Sequence, residues 1–187
     1  MTYLRSMPDA DLKELLKSEP DLGIPFAQYH EVLLRGPSPF SVGERELMAA
    51  YVSGLNACDF CSGEHEAVAA RFGMEVGILA ALLEDIASAP ISEKLKPVFR
   101  YIQKLTLQPN RVIAADIDAI YAAGWEDPAV YHAASVCALF AFDNRLIQGI
   151  GIPPHDAKEL QETADRLHAK GYASTVSFIR GDQESAQ

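Results

Sequence analysis

Residues 41–73 read SVGERELMAAYVSGLNACDFCSGEHEAVAARFG. Ser41 followed by Glu44 is a capping box, so a helix is expected to start at Val42. Leu47, Met48, Tyr51, Val52 and Leu55 recur on one side of it at helical spacing. Glu46 falls on the opposite side, among Ala49, Ala50, Ser53 and Gly54. A face of small residues admits a neighbouring helix backbone, and a glutamate pressed into that dry contact is expected to have a raised pKa. The plain alternative is a solvated surface glutamate. Gly54 and Asn56 signal a stop. A second helix is expected from near Cys58, with Asp59 at its positive end. Cys58, Cys61 and His65 then share a face at i, i+3 and i+7. Val68, Ala69 and Phe72 extend that face, which should turn inward, while Asp59, Glu66, Ala70 and Arg71 point elsewhere.

Two thiols at a helix N-terminus have a chemical use. The dipole stabilises a thiolate, and a nearby imidazole can take the proton. A thiolate attacks a peroxide oxygen, and the sulfenic acid condenses with the second thiol to a disulfide. By this argument Cys58, the more N-terminal sulfur, is the lower-pKa thiol. Buried cysteines are often inert hydrophobes, but a CxxC with a histidine on the same face points to chemistry. A zinc site competes, since three ligand types are present. Its fourth ligand would be Cys137, His132 or Glu46 folding back. No second CxxC or HxxxH is present, which places redox chemistry ahead of zinc.

The pattern Glu46-x11-Cys58-x2-Cys61-x3-His65 resembles the signature of the AhpD-like alkylhydroperoxidases of the carboxymuconolactone decarboxylase superfamily, especially their peroxidase-related branch. The likeness continues through KLKPVFRYIQKLTLQPNRVIAADIDAIYAAGWEDPAVYHAASVCALFAFDNRLIQGIG and covers residues from about 30 to 151. The resemblance implies an all-α fold, a compact multi-helix AhpD-like domain with the CxxC at the N-terminus of a central helix. It implies Cys61 as the peroxidatic cysteine and Cys58 as the resolving one, with His65 and Glu46 as a proton relay. It also implies a homo-oligomer, a hydroperoxide substrate, and a dithiol reductant of the kind borne on a lipoyl protein. Neither a cofactor nor a metal enters that cycle. One departure stands out: alkylhydroperoxidase D carries a further histidine just before its second cysteine, where this chain has Phe60.

The chain of 187 residues suits one domain, 1–187. It divides into N-terminal helices (1–35), the motif helix pair (41–73), a helical core (75–150) and a C-terminal helix and tail (151–187). The net charge of −10 argues against a nucleic-acid surface and an anionic membrane. No signal-peptide core or spanning run is expected, and a reducing cytoplasm is the expected compartment.

Helical spacing recurs along the chain. A short helix is expected over residues 8–17, a turn-rich connector over 18–25, and a helix from Pro25 to Gly36 with Phe26, Tyr29, Val32 and Leu33 inward. His30, on that helix, is expected to be partly exposed, or else to line the approach to the cysteines. Further helices are expected over 75–88, 92–106, 116–123, 128–150 and 155–170, with 172–179 leaning to helix and 180–187 a frayed tail. Trp125 should pack on a neighbour from its loop, and Cys137 should be a buried hydrophobe. Asn144 and Arg145, following an apolar run, should belong to a polar network or reach a neighbouring subunit's site.

The function expected is a thiol-dependent peroxidase. Its rivals are a redox-sensing oligomeric interaction protein, a decarboxylase-like enzyme of the superfamily, and a structural zinc domain.

Overall fold

The structure is a computed structural model that describes residues 1–182, all helices and connections with no strand among them. Ten α-helices follow in order: α1 Leu12–Ser18, α2 Pro20–Arg35, α3 Val42–Leu55, α4 Asp59–Arg71, α5 Ile78–Glu84, α6 Lys96–Leu107, α7 Ala114–Ala122, α8 Asp127–Ile150, α9 Ala157–Lys170 and α10 Ala173–Arg180. A 3-10 turn, Pro109–Arg111, joins α6 to α7. No helix among the described residues is long and apolar enough to cross a membrane.

Helix α3 is the axis. Ser41 Oγ accepts from the Glu44 amide while Glu44 accepts from the Ser41 amide, as the capping box requires. Gly43 and every residue from Arg45 to Ser53 are buried. The one-sided apolar face read from Leu47 and its partners is therefore a correction: α4, α5, α6 and α8 pack around α3 and leave it no wet side. Arg45 survives there because its guanidinium donates to the carbonyls of Leu33 and Gly36. Those oxygens end α2 with no intrahelical donor of their own.

The turn-rich connector expected over 18–25 is mostly the start of α2. Pro20 occupies its first turn, where a missing N–H is harmless. A Cβ on Gly23 would lie 2.2 Å from the Leu16 carbonyl oxygen, so glycine permits α1 and α2 to cross closely. The inward face of α2 also differs: Ala27, His30, Leu33 and Leu34 are buried, while Tyr29 and Val32 are exposed. Several starts shift inward. Asp11 caps α1 with Glu14, so that helix begins at Leu12. Gly77, with φ of 92°, delays α5 to Ile78. Asp156 and Glu159 cap α9 and leave His155 outside it. Trp125 packs on Phe40 and donates to the Lys94 carbonyl. Of the tail, Arg180 closes α10, and residues 183–187 lie outside those described.

Helix α4 lies along α3 on one side and along α9 on the other, and α10 packs on α1 and α2. The C-terminal helices thereby close over the face of α4 that carries Cys61 and His65.

Candidate active site

The turn between α3 and α4 sets the cysteines. Ala57 there has φ of 52°, a left-handed conformation disfavoured for a residue with a Cβ. Gln148 of α8 donates to the carbonyls of Asn56 and Ala57 and holds the turn in place. Cys58 is the N-cap of α4, Asp59 its first residue. Both sulfurs are free thiols, and Cys58 and Cys61 are 2% and 4% exposed. They pack with Phe60, Ile147 and Ile152.

Glu46 is wholly buried. Its Oε2 lies 2.5 Å from His65 Nδ1. Its Oε1 accepts from Arg35 Nη1 at 2.5 Å and from the Tyr172 hydroxyl at 3.0 Å. The Arg35 guanidinium sits over the rings of Phe72 and Tyr172, 4.9 Å from each centroid. The solvated-glutamate alternative is thus excluded, but the raised pKa is also a correction. Burial does push the carboxyl up, yet the charges and hydrogen bonds of His65 and Arg35 outweigh it and hold the pKa below 4.5. Glu46 is therefore a fixed anion that orients His65. With Nδ1 turned to Glu46, Nε2 is the ring nitrogen of His65 left to exchange a proton with another group.

Cys58 has a pKa brought down to about 7, chiefly by a hydrogen bond from the Cys61 thiol, against the effect of burial and with help from Asn144. Cys61 is pushed well up by donating that bond, by burial and by the nearby Asp143 charge. The two sulfurs act as a pair that shares a proton. Asn144 is fully buried, donates to Ser53 Oγ at 3.0 Å and accepts from Asn56 at 2.9 Å. It serves the sulfurs of its own chain. Arg145 points away and donates to the Ala141 carbonyl.

Cys61, His65, Phe60 and Ile147 line a cavity of about 70 Å³ that Leu167 and Tyr172 help to close. His30 lines it too, and is 3% exposed rather than partly exposed. Its Nε2 meets Asp143 Oδ2 at 2.7 Å and its Nδ1 meets the Phe26 carbonyl at 2.8 Å. Burial depresses its pKa, but Asp143 and the Phe26 carbonyl reverse that and raise it above 6.5. Sequence reading missed Asp143, Arg35 and Tyr172. No local motif marks them: Arg35 comes from the end of the preceding helix, and Asp143 and Tyr172 reach the site from α8 and the α9–α10 corner, far along the chain. His155 packs on Phe60 with ring centroids 4.7 Å apart and planes tilted by 59°, and lies 3.2 Å from Glu64. Cys137 packs in the main core beside Thr106. Among the described residues, no group of three His, Cys, Asp or Glu side chains is gathered to hold a metal ion.

Residues 20–104 match the model of the carboxymuconolactone decarboxylase family. The fold is similar to that of an alkylhydroperoxidase AhpD core, an uncharacterized peroxidase-related protein of Ralstonia eutropha. The TM-score is 0.73 at 24% identity, over 80% of this chain and 78% of that one. An uncharacterized peroxidase-related protein of a Silicibacter species aligns with a TM-score of 0.71 at 23% identity, over 79% of this chain and 78% of that one. No curated protein matches in sequence.

Proposed function

We propose, for a chain whose residues 20–104 belong to the carboxymuconolactone decarboxylase family and whose fold is AhpD-like, that it is a thiol-dependent hydroperoxide reductase. One observation carries the reading: Cys61 and His65 face one sheltered cavity, and His65 is oriented by a buried carboxylate anion. Those are the parts that thiol activation needs.

In the proposed cycle the Cys61 thiol passes its proton to His65 Nε2 or to the Cys58 thiolate. The Cys61 sulfur attacks the terminal oxygen of R–O–O–H. An S–O bond forms, the O–O bond breaks, and R–O⁻ takes the displaced proton to leave as R–OH. The Cys58 thiolate then attacks the Cys61 sulfenic acid, forming the S–S bond and releasing hydroxide, which is protonated to water. Sulfur has been oxidised and peroxide oxygen reduced. A dithiol, such as a lipoyl-bearing protein, reopens the disulfide. Cys61 is the attacking sulfur in this reading because it is the one that lines the cavity, while Cys58, near pKa 7, is poised to resolve.

The reading includes a homo-oligomer. Leu22, Tyr29 and Phe142 stand exposed on an apolar surface shared by α2 and α8, of a kind that marks association. With dithiothreitol or dihydrolipoamide as reductant, the wild-type chain should consume tert-butyl hydroperoxide and Cys61→Ser should not. Undiminished turnover in Cys61→Ser would overturn the proposal. The near-complete burial of both sulfurs favours one further reading, a redox sensor that oxidises but does not cycle. Disulfide formation by peroxide without turnover under excess dithiol would select it.

A further inference from the structure

Helix α8 sends two adjacent polar side chains into the interior in different directions. Asn144 turns to Ser53 and Asn56. Asp143 turns to His30 of α2 and lines the cavity that holds Cys61. Both ring nitrogens of His30 face oxygen acceptors, the Phe26 carbonyl and Asp143 Oδ2. An imidazole in that position satisfies both only by carrying two protons. The pair is then an imidazolium and a carboxylate with no net charge. The His30 and His65 rings each meet the Phe140 ring edge-on, at 5.9 and 4.5 Å, and His30 also lies 5.3 Å from the Tyr172 ring.

One atom is left over. Asp143 Oδ1 is buried and has no hydrogen-bond partner among the described residues. A buried carboxylate oxygen without a donor is costly, because it has given up its water and gained nothing in return. Nothing in the Glu46–His65 relay uses it. Phe26, Ala27, Phe60 and Ile147 give the cavity apolar walls, and Glu64, Thr163, Arg166 and Thr175 also line it. The place therefore calls for a ligand with a single O–H donor on a small uncharged apolar body.

We propose that Asp143 is the substrate-orienting residue of this cavity, its free Oδ1 accepting the O–H of a small uncharged alkyl hydroperoxide so that the O–O bond is presented to the Cys61 sulfur. This rests on the reading of the site as a hydroperoxide reductase. The hydrogen stays on the attacked oxygen and ends on the sulfenic acid, so Asp143 exchanges no proton. His30 acts through Asp143, fixing its rotamer.

The test compares two oxidants on the reduced protein. tert-Butyl hydroperoxide carries the O–H; diamide oxidises a dithiol with no O–H or N–H of its own. Asp143→Asn and Asp143→Ala should slow thiol oxidation by tert-butyl hydroperoxide tenfold or more, the loss falling in KM in the steady state. Their rate with diamide should not fall below wild type, because loss of the Asp143 charge favours the Cys61 thiolate, a separation that a merely loosened site would not give. His30→Gln should show a smaller loss of the same pattern. If Asp143→Asn fails to fold, His30→Gln/Asp143→Asn, which removes both charges together, carries the comparison. Equal peroxide-to-diamide ratios in wild type and the Asp143 variants would overturn the role of Asp143 alone. A wild-type chain oxidised by diamide but by no hydroperoxide would remove the reductase reading and this inference with it.

Discussion

His65 Nδ1 and Glu46 Oε2 lie 2.5 Å apart, with Glu46 wholly buried and His65 nearly so. The same carboxylate neutralises Arg35 on its other oxygen. Glu46→Gln breaks both relations at once. Peroxide turnover should fall by about 10²–10⁴, the usual share of a positioned acid–base group. Stability should fall by about 3–5 kcal/mol, because Arg35 is left as an uncompensated buried charge. Denaturant unfolding and steady-state assay measure the two separately. A variant that keeps full turnover would show that His65 needs no carboxylate.

Two groups fix the pH range of stability, with opposite signs. Glu46 is held below its ordinary 4.5, so its contribution is present above pH 4.5 and is lost as pH falls through the lowered value. His30 is raised above its ordinary 6.5, so its contribution is present below pH 6.5 and is lost as pH rises through the raised value. His155, raised by Glu64, adds to the alkaline limb. Melting temperature of the reduced chain should therefore be highest between these limits. Glu46→Gln should flatten the acid limb and His30→Gln the alkaline one. A His30→Gln variant with an unchanged alkaline limb would contradict the assignment.

Thiolate absorbance at 240 nm should rise in the reduced protein with a midpoint near pH 7, the value for Cys58. Cys58→Ser should remove that step. Cys61→Ser should move it to higher pH, because the thiol that donates to Cys58 is gone, and Asn144→Ala should move it in the same direction by less. A step near pH 7 that survives Cys58→Ser would assign it to the other sulfur.

Gly23→Ala should destabilise the chain by about 1–3 kcal/mol, a cost of overpacking, since the added carbon meets the Leu16 carbonyl. At about 2–4 °C per kcal/mol for a chain of this size, calorimetry would resolve it. An unchanged melting temperature would mean that α1 moves away freely.

Phe142→Glu places a charge on the exposed apolar surface between α2 and α8. In the proposed oligomer it should shift light-scattering mass toward the monomer while leaving far-UV circular dichroism unchanged. Identical mass in wild type and variant would exclude this surface as the seam.

Much of the fold could be read along the chain because its signals are local. The Ser41–Glu44 box, the i, i+3, i+7 face of Cys58, Cys61 and His65, and the stop of α2 at Gly36 each act within two turns of helix. The burial of Glu46 is less legible, and so is the direction of its pKa. A face of small residues told that a helix would come close, but not that Arg35 and Tyr172 would meet the carboxylate there. His30 and Asp143 are 113 positions apart, and neither has a neighbour that marks the pair. Helical spacing placed Leu33 correctly on α2 but not Tyr29 and Val32, whose apolar character matches that of residues that turn inward.

Tyr172, at the corner between α9 and α10, lies outside residues 20–104 yet donates to Glu46 and walls the cavity. The four-residue signature is thus a keyhole whose cover plate is made from another part of the chain. Relatives that keep the signature but replace that corner would admit water to the same glutamate and change its proton affinity. Differences in reactivity among such relatives should therefore follow the C-terminal corner, where a comparison of motifs alone would find nothing to compare.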